Sequence, residues 1–253
     1  MKILIICATD RSKHFISLNI IKYLVKLNID NLSIYVLDKN KSITSYLKKK
    51  RNKVKHIKNK INFYNSIKKN EYDWLLNIWG YKIFKKDFLS KFKKNLNLHP
   101  SFLPYNKGRD PYYFSIINQT PIGITIHEMD EKIDNGKYYI REKFNFDFPF
   151  TAGDIFDISL KNIKSLFIKN WIKIRNGKIK LKKFSNKVHK TNKRIDLIHK
   201  NFLNLDDKKN RKNKNFILNC LGQDFPFLKQ QVKIFNKIYD CKIILKNNNK
   251  KIW

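Results

Sequence analysis

An amide, an imidazole and a carboxylate stand close together in the middle of this sequence, at Asn97, His99 and Asp134. Asn97 and His99 are two residues apart, so on an extended strand their side chains leave the same face. Pro100 has no N–H for a strand ladder and stops it there. His99 is therefore placed at a strand's carboxyl end, where open α/β sheets bind ligands. Asp134 lies in the segment IDNG, whose Asn135-Gly136 pair favours a tight turn and presents the preceding carboxylate on a loop. Such a set suits acyl transfer: the imidazole takes or positions a proton, the amide donates to a developing oxyanion, and the carboxylate orients the imidazole or relays the proton. No serine or cysteine stands in a nucleophile-elbow context, so the acyl group would pass directly to its acceptor.

Taken alone, each residue also has a purely structural reading. His99 before a proline reads as a strand-end residue, and Asp134 before Asn-Gly as a turn carboxylate. His127 extends the run of Ile124 and Ile126 and reads as part of a polar pocket wall. The surrounding composition favours a site: five of the six prolines and five of the seven glycines fall between Gly80 and Gly153. Glycine and proline mark backbone that turns sharply or approaches a ligand closely. In the loop after His99, Pro104 and Gly108 bracket Tyr105, Asn106 and Lys107, with Arg109 following. Asn106, Lys107, Gly108 and Arg109 are expected to contact whatever binds above Asn97, where the two cations could make charge-assisted hydrogen bonds to it.

The elements that must hold these residues alternate as in an α/β domain. Lys2–Cys7 (KILIIC) is a near-continuous apolar run, as a parallel strand buried on both faces requires. Thr9 and Asp10 can cap a following helix with Phe15, Leu18, Ile21, Leu24 and Val25 at helical spacing. Strands are expected at Leu32–Leu37, Val54–Ile57, Trp74–Ile78, Leu96–His99, Gly123–Glu128 and Tyr138–Phe144. Helices are expected around 40–55, over Asp87–Lys94 and over Pro111–Ile117. The longest spans Thr151–Arg175, opened by a Thr-x-x-Asp capping arrangement at Thr151 and Asp154. Asn176-Gly177 makes a turn, after which residues 179–253 read as a small appendage with a helix near 208–220 and a hairpin across 231–246. The expected division is a catalytic unit over 1–178 and this α+β appendage.

The net charge of +35 invites a nucleic-acid reading, but only seven of the 55 basic residues are arginine. Phosphate and base recognition would draw more on the planar arginine fork. The lysines are spread over nearly every helix and come with an excess of Asn and Ile, which share A/T-rich codons. No dedicated nucleic-acid face is expected, and the charged tract DDKKNRKNKN at 206–215 reads as a loop or helix start. Three scattered cysteines without metal-ligand spacing argue against a disulfide framework or structural zinc. The short apolar run at the start is no signal peptide, and no run is long enough to span a bilayer. The chain is expected to be cytoplasmic, with no membrane partner.

The segment NLHPSFLP, the Gly-Arg-x-Pro turn after it and GITIHEMDEKIDNG resemble the 10-formyltetrahydrofolate-dependent formyltransferases. The resemblance covers roughly Met1 to Arg175 and is strongest from Tyr72 to Gly136. It implies that Asn97, His99 and Asp134 are the catalytic residues. It places the folate loop at Gly80, Tyr81, Lys82, Ile83 and Phe84, where backbone groups would read the pterin beside apolar side chains. The implied fold is Rossmann-like with a mixed, mostly parallel sheet. The implied co-substrate is 10-formyltetrahydrofolate, with no metal; a homodimer is an admissible assembly.

Within that family the chain is most similar to sugar-nucleotide N-formyltransferases, which act on dTDP-linked amino-dideoxy sugars for bacterial surface glycans. Glycinamide ribonucleotide formyltransferases carry a Gly-rich phosphate loop where this chain has CATDRSKH. Methionyl-tRNA formyltransferases usually have Ala where Pro100 stands, and a larger C-terminal barrel. Formyltetrahydrofolate hydrolases carry an additional N-terminal domain. The expected reaction is formyl transfer to the amine of a nucleotide sugar, a dTDP-4-amino-4,6-dideoxy sugar in first place. The alternatives are another amine (methionyl-tRNA or glycinamide ribonucleotide) or a non-catalytic basic binding protein.

Overall fold

The computed structural model describes residues 1–8, 15–38, 41–50, 54–57, 63–80, 82–146, 150–184, 190–193, 202–204, 213–223, 230–234 and 237–241. Seven strands build the main sheet: β1 (Lys2–Cys7), β2 (Asn31–Val36), β3 (Val54–Ile57), β4 (Trp74–Ile78), β5 (Lys94–His99), β7 (Ile122–His127) and β8 (Tyr138–Phe144). A two-residue strand, β6 (Lys107–Gly108), lies outside it. The order is β3-β2-β1-β4-β5-β7-β8. The first five strands run parallel, and β7 is antiparallel to both neighbours. The mixed, mostly parallel α/β sheet expected from the sequence is the one found. Strand order reverses at β1, which pairs with β2 on one side and β4 on the other, and ligands bind beyond the carboxyl ends of strands near such a reversal.

The apolar run of β1 is explained by what lies on each side of it. Ile3, Ile5 and Cys7 enter one core, with Trp74, Phe167 and Trp171, while Leu4 and Ile6 enter a second, with Tyr35, Leu75 and Phe88. The first core lies under α1 (Ile16–Leu27), α5 (Pro111–Ile117) and the 24-residue α6 (Ala152–Arg175), each of which contributes buried residues to it. The second includes residues of α3 (Phe63–Ser66) and α4 (Lys86–Leu89). The helix α2 (Lys41–Lys49) adds Ile43 and Leu47 to the first core.

The capping arrangement of α6 forms as the sequence implies. Thr151 Oγ1 accepts the Asp154 N–H at 3.2 Å, and Asp154 Oδ2 accepts the Thr151 N–H at 2.8 Å. Thr9 and Asp10, the expected cap of α1, lie outside the described residues. The helix expected over Asp87–Lys94 is shorter. It ends at Leu89, because Lys94 is already in the sheet opposite Trp74. Sheet pairing there outweighs local helical spacing.

Beyond α6, β9 (Thr191–Asn192) pairs in parallel with β6. A separate small sheet holds β10 (Phe202–Asn204), β11 (Gln230–Ile234) and β12 (Lys237–Cys241), the last two forming the expected hairpin. The helix α7 (Asn213–Gln223) sends Leu221 into the first core. Asn219 on it accepts the Tyr113 hydroxyl at 2.7 Å. The segment at 206–212 lies outside the described residues. Among those described, no helix is long and apolar enough to cross a membrane.

Trp171 is fully buried, with its ring 5.3 Å from Trp74 and 5.4 Å from Phe167, and its indole nitrogen makes no hydrogen bond. Trp171→Ala is therefore expected to cost about 3–5 kcal/mol in urea unfolding, and Thr151→Ala about 1 kcal/mol. Trp171→Phe should cost much less than Trp171→Ala, since no polar contact is lost. Equal losses for the two Trp171 variants would contradict this packing.

Candidate active site

Alternation along β5 separates two kinds of surface. Leu96 and Leu98 belong to the first core, while Asn95, Asn97 and His99 emerge on the other face. Asn97 pairs in register with Asn77 of β4 and with His127 of β7, and His99 pairs with Thr125. Residues directly opposite each other point to the same side of a sheet, so three strands contribute to one polar patch.

Asp134 reaches this patch from the loop between β7 and β8. The loop is closed by the Glu128 N–H donating to the Lys137 carbonyl at 2.7 Å, and Asp134 itself has φ 49°. Left-handed backbone is uncommon outside glycine but is best tolerated by Asn and Asp. The carboxylate then sits between two imidazoles. Asp134 Oδ2 lies 3.4 Å from His99 Nδ1, and Oδ1 lies 3.4 Å from His127 Nε2. Asn97 Nδ2 is 3.5 Å from the same Oδ1. A main-chain donor completes the setting: the Gly108 N–H donates to Oδ2 at 2.8 Å. Gly108 has φ 87°, and a Cβ there would stand 2.3 Å from the Asn192 carbonyl oxygen in β9, so only glycine fits.

Hydrogen-bond partners fix where the protons are. His127 Nδ1 faces the Glu128 carbonyl at 2.7 Å, which can only accept, so Nδ1 carries hydrogen. Its Nε2 lies 3.0 Å from Asn97 Nδ2 and 3.4 Å from Asp134 Oδ1. Asn97 Oδ1 in turn accepts from Asn77 Nδ2 at 2.8 Å. His99 Nε2 donates to the Asn106 carbonyl at 3.2 Å, leaving Nδ1 toward Asp134. Burial pushes His99 below the ordinary histidine value, against the opposing pull of Asp134, with His127 adding to the fall and the Asn106 carbonyl resisting it. Burial alone would raise the Asp134 carboxyl. The His99 and His127 rings and the Gly108 N–H outweigh it and hold Asp134 well below the usual carboxylate range.

Asn97, His99 and Asp134 are thus brought together. The other expected residues are placed differently. Asn106 is buried, and its amide donates to Ser115 Oγ at 2.8 Å and Thr120 Oγ1 at 2.7 Å, so its side chain is engaged inside the loop. Lys107 is also buried and donates from Nζ to Asn135 Oδ1 at 2.6 Å, bracing the Asp134 loop, while Arg109 is exposed. Of the second loop, Phe84 packs in the second core against Phe88 at 5.3 Å. Lys82 and Ile83 are exposed, Ile83 by 70%, and Tyr81 lies outside the described residues. Sequence reading gave His127 too small a part and passed over Asn77. Both carried a signal, since each is a polar residue inside an otherwise apolar strand run.

The patch offers an amide N–H donor, an imidazole and an ionised carboxylate within a few ångströms, a set able to stabilise an oxyanion and move a proton. Comparison with known proteins places the chain by sequence and fold. The sequence model of the formyl transferase family matches residues 31–167. Over 82 residues the chain is 32% identical to the dTDP-4-amino-4,6-dideoxyglucose formyltransferase of Mycobacterium tuberculosis, covering 32% of this chain and 35% of that protein. It is 35% identical over 119 residues to the methionyl-tRNA formyltransferase of Borrelia garinii subsp. bavariensis, covering 46% of this chain and 38% of that one. The match therefore spans little more than a third of these curated relatives. Among solved structures, a 4-N formyltransferase from Francisella tularensis superposes with a TM-score of 0.78 at 25% identity, covering 98% of each chain. The N-formyltransferase of Helicobacter canadensis, solved with folinic acid and dTDP-3-aminofucose, gives 0.74 at 20% identity over 93% of this chain and 85% of that one.

The site geometry sets the sign of a titration. His99 should titrate below the ordinary value of about 6.5 in ring ¹⁵N spectra, and Asp134→Asn should lower it further by removing the carboxylate that resists the fall. Its contribution to stability follows: between the folded value and about 6.5 the unfolded chain binds more protons, so stability rises with pH across that window. A His99 titrating above about 6.5, or rising in Asp134→Asn, would contradict the electrostatics described.

Proposed function

The chain belongs to the formyl transferase family, and on that basis we propose that it moves a formyl group from 10-formyltetrahydrofolate to the amine of a nucleotide-linked amino sugar. The observation that carries this reading is the convergence of Asn97, His99 and Asp134 at the carboxyl end of β5. The acceptor assignment, with a dTDP-4-amino-4,6-dideoxy sugar as the first candidate, draws support from similarity. The 4-N formyltransferase fold corresponds over 98% of both chains at 25% identity, and a dTDP-4-amino-4,6-dideoxyglucose formyltransferase is 32% identical over 82 residues.

In the proposed reaction the neutral sugar amine attacks the formyl carbon, and the carbonyl electron pair moves onto oxygen. Asn97 Nδ2–H and a proton on His99 stabilise that oxyanion. The long 3.5 Å contact between Asn97 Nδ2 and Asp134 leaves one N–H free to turn to it. Asp134 holds His99 and takes the proton from the attacking nitrogen, directly or through a water. Collapse breaks the bond from the formyl carbon to N10 of the folate, which leaves with the electron pair and receives the proton. The products are the formamido sugar and tetrahydrofolate. On the folate side we place the loop of Gly80, Lys82 and Ile83, whose exposed isoleucine is available to an apolar ring. On the acceptor side we place Gly108 and the exposed Arg109, with β9 of the proposed 179–253 appendage beside them. Both co-substrates are soluble cytoplasmic metabolites, and we assign the enzyme to that compartment.

A second acceptor, methionyl-tRNA, is favoured by the identity to the Borrelia enzyme and is separable by salt. Binding to a polyanion releases counterions, so activity on tRNA would fall steeply with ionic strength, while activity on a sugar nucleotide would not.

Purified protein given 10-formyltetrahydrofolate and a panel of dTDP-amino sugars, glycinamide ribonucleotide and Met-tRNA should formylate a dTDP-amino sugar fastest, read by mass shift of the acceptor. Asn97→Ala, His99→Ala and Asp134→Ala should each lower kcat by about 100-fold or more, as loss of one oxyanion donor does elsewhere. The double variants should fall little further, since the residues act on one transition state. A His99→Ala enzyme with near-normal turnover would remove the mechanism.

A further inference from the structure

Strand β4 carries one polar side chain. Trp74, Leu75, Leu76 and Ile78 are buried apolar residues, and between them Asn77 is only 4% exposed. Its Oδ1 is buried and meets no hydrogen-bond partner, a cost that a leucine of similar size would not incur. Folding alone therefore disfavours an asparagine at this position. Its amide nitrogen, by contrast, is fully used: one hydrogen faces the Gly80 carbonyl at 3.3 Å and the other Asn97 Oδ1 at 2.8 Å.

These contacts belong to a chain of polar groups whose direction is fixed at both ends by groups that can only accept, the Gly80 carbonyl and the Asp134 carboxylate. At one end the Gly80 carbonyl accepts, so Asn77 must present its nitrogen, and Asn97 must answer with its oxygen. At the other end the Asp134 carboxylate can only accept, so Asn97 must present its nitrogen there, where Nδ2 also lies 3.0 Å from His127 Nε2. Both ends give the same answer: Asn97 Nδ2 points to His127 and Asp134. The space is shaped for this arrangement, because a Cβ on Gly80 would stand 2.1 Å from Asn77 Oδ1.

We propose that Asn77 is a positioning residue for the reaction. It holds the Asn97 amide with its N–H toward the oxyanion, and through the Gly80 carbonyl it ties that orientation to the loop proposed to bind folate. The assignment rests on the formyl-transfer reading given above. Asn77 touches neither co-substrate in this role, so its effect belongs in turnover rather than in acceptor binding.

The discriminating experiment compares Asn77→Leu with Asn77→Asp. Leucine removes the donor and leaves Asn97 held from one side; kcat should fall roughly 10-fold with the acceptor KM near normal, and the urea midpoint should stay or rise. Aspartate has nearly the shape of asparagine but sets a carboxylate against Asn97 Oδ1 and drives the amide to turn over. Its kcat should fall further, toward the roughly 100-fold typical of a lost oxyanion donor. Gly80→Ala should lower kcat as Asn77→Leu does, and the double variant should be no worse than the poorer single. Ring ¹⁵N shifts of His127 supply a readout that needs no acceptor: the wild-type Nε2 signal in Asn77→Leu, and a changed one in Asn77→Asp once an oxygen faces it. Wild-type kcat in both Asn77 variants, or an unchanged His127 signal in a folded Asn77→Asp protein, would overturn the proposal. If the wild-type enzyme formylates no amino sugar, the acceptor reading fails, and the His127 spectra still decide the positioning role.

Discussion

A carboxylate held out of water between two imidazoles is the constraint on which the rest of the site depends. Moving an isolated carboxylate into a protein interior costs on the order of several kcal/mol unless partners replace its hydration. Asp134 meets that demand with His99 on one oxygen, His127 on the other and the Gly108 N–H beside them. Each partner imposes a further condition. The two histidines must come from adjacent strands, which the antiparallel pairing of β5 with β7 supplies through the Asn97–His127 and His99–Thr125 register. The main-chain donor must come from a residue able to adopt positive φ without a side chain, and β9 lies close enough to exclude any other residue.

The same requirement explains why the sheet is uneven. On the first-core side the buried strand residues are apolar, and Trp74 packs there against Trp171, which stacks on Phe167 of α6. On the opposite side the apolar packing of Leu4, Ile6 and Leu75 gives way to Asn77, Asn95, Asn97, His99, Thr125 and His127. Buried polar groups of this kind are tolerated when paired. Asn95 shows the structural form of that rule, bonding both ways to the Met129 backbone and anchoring the start of the Asp134 loop. Asn77 shows a different form, with one oxygen left unpaired so that both amide hydrogens can point where the site needs them.

Local signals in the chain were sufficient for much of this. The apolar run of Lys2–Cys7, the Thr151–Asp154 capping pair and the proline after His99 each specify their structure within a few residues, and each is found. The convergence of Asn97 with His99 was likewise legible, because an alternation of two needs only a strand. His127 was not, since its part depends on which strand lies opposite and in which register. Asn106 shows the converse: its place in a polar loop suggested a ligand contact, but Ser115 and Thr120, brought near by the turn into α5 and out of it, take up its amide. The shortened α4 has the same origin, sheet pairing at Lys94 that no local spacing reveals. What the sequence hides is pairing between distant segments, including the reach of β9 back to the loop after His99.

The contacts inside the site are uneven in length, and the unevenness has a chemical meaning. Several that orient side chains are short: 2.6 Å from Lys107 to Asn135, 2.7 Å from His127 to Glu128, and 2.8 Å from Asn77 to Asn97 and from Gly108 to Asp134, with His99 to Asn106 and Asn77 to Gly80 intermediate at 3.2 and 3.3 Å. Those among the three proposed catalytic groups are long, 3.4 Å from His99 to Asp134 and 3.5 Å from Asn97 to Asp134. Weak mutual contacts can be exchanged for contacts to a substrate at little cost, while strong supporting contacts keep the groups from moving as the exchange occurs. Transition-state stabilisation is greatest when donors already point to where charge will develop and need not reorganise. The arrangement here has that character: the orienting bonds run outward to strand, loop and main chain, and the longest contacts are those that Asn97 and His99 make to Asp134.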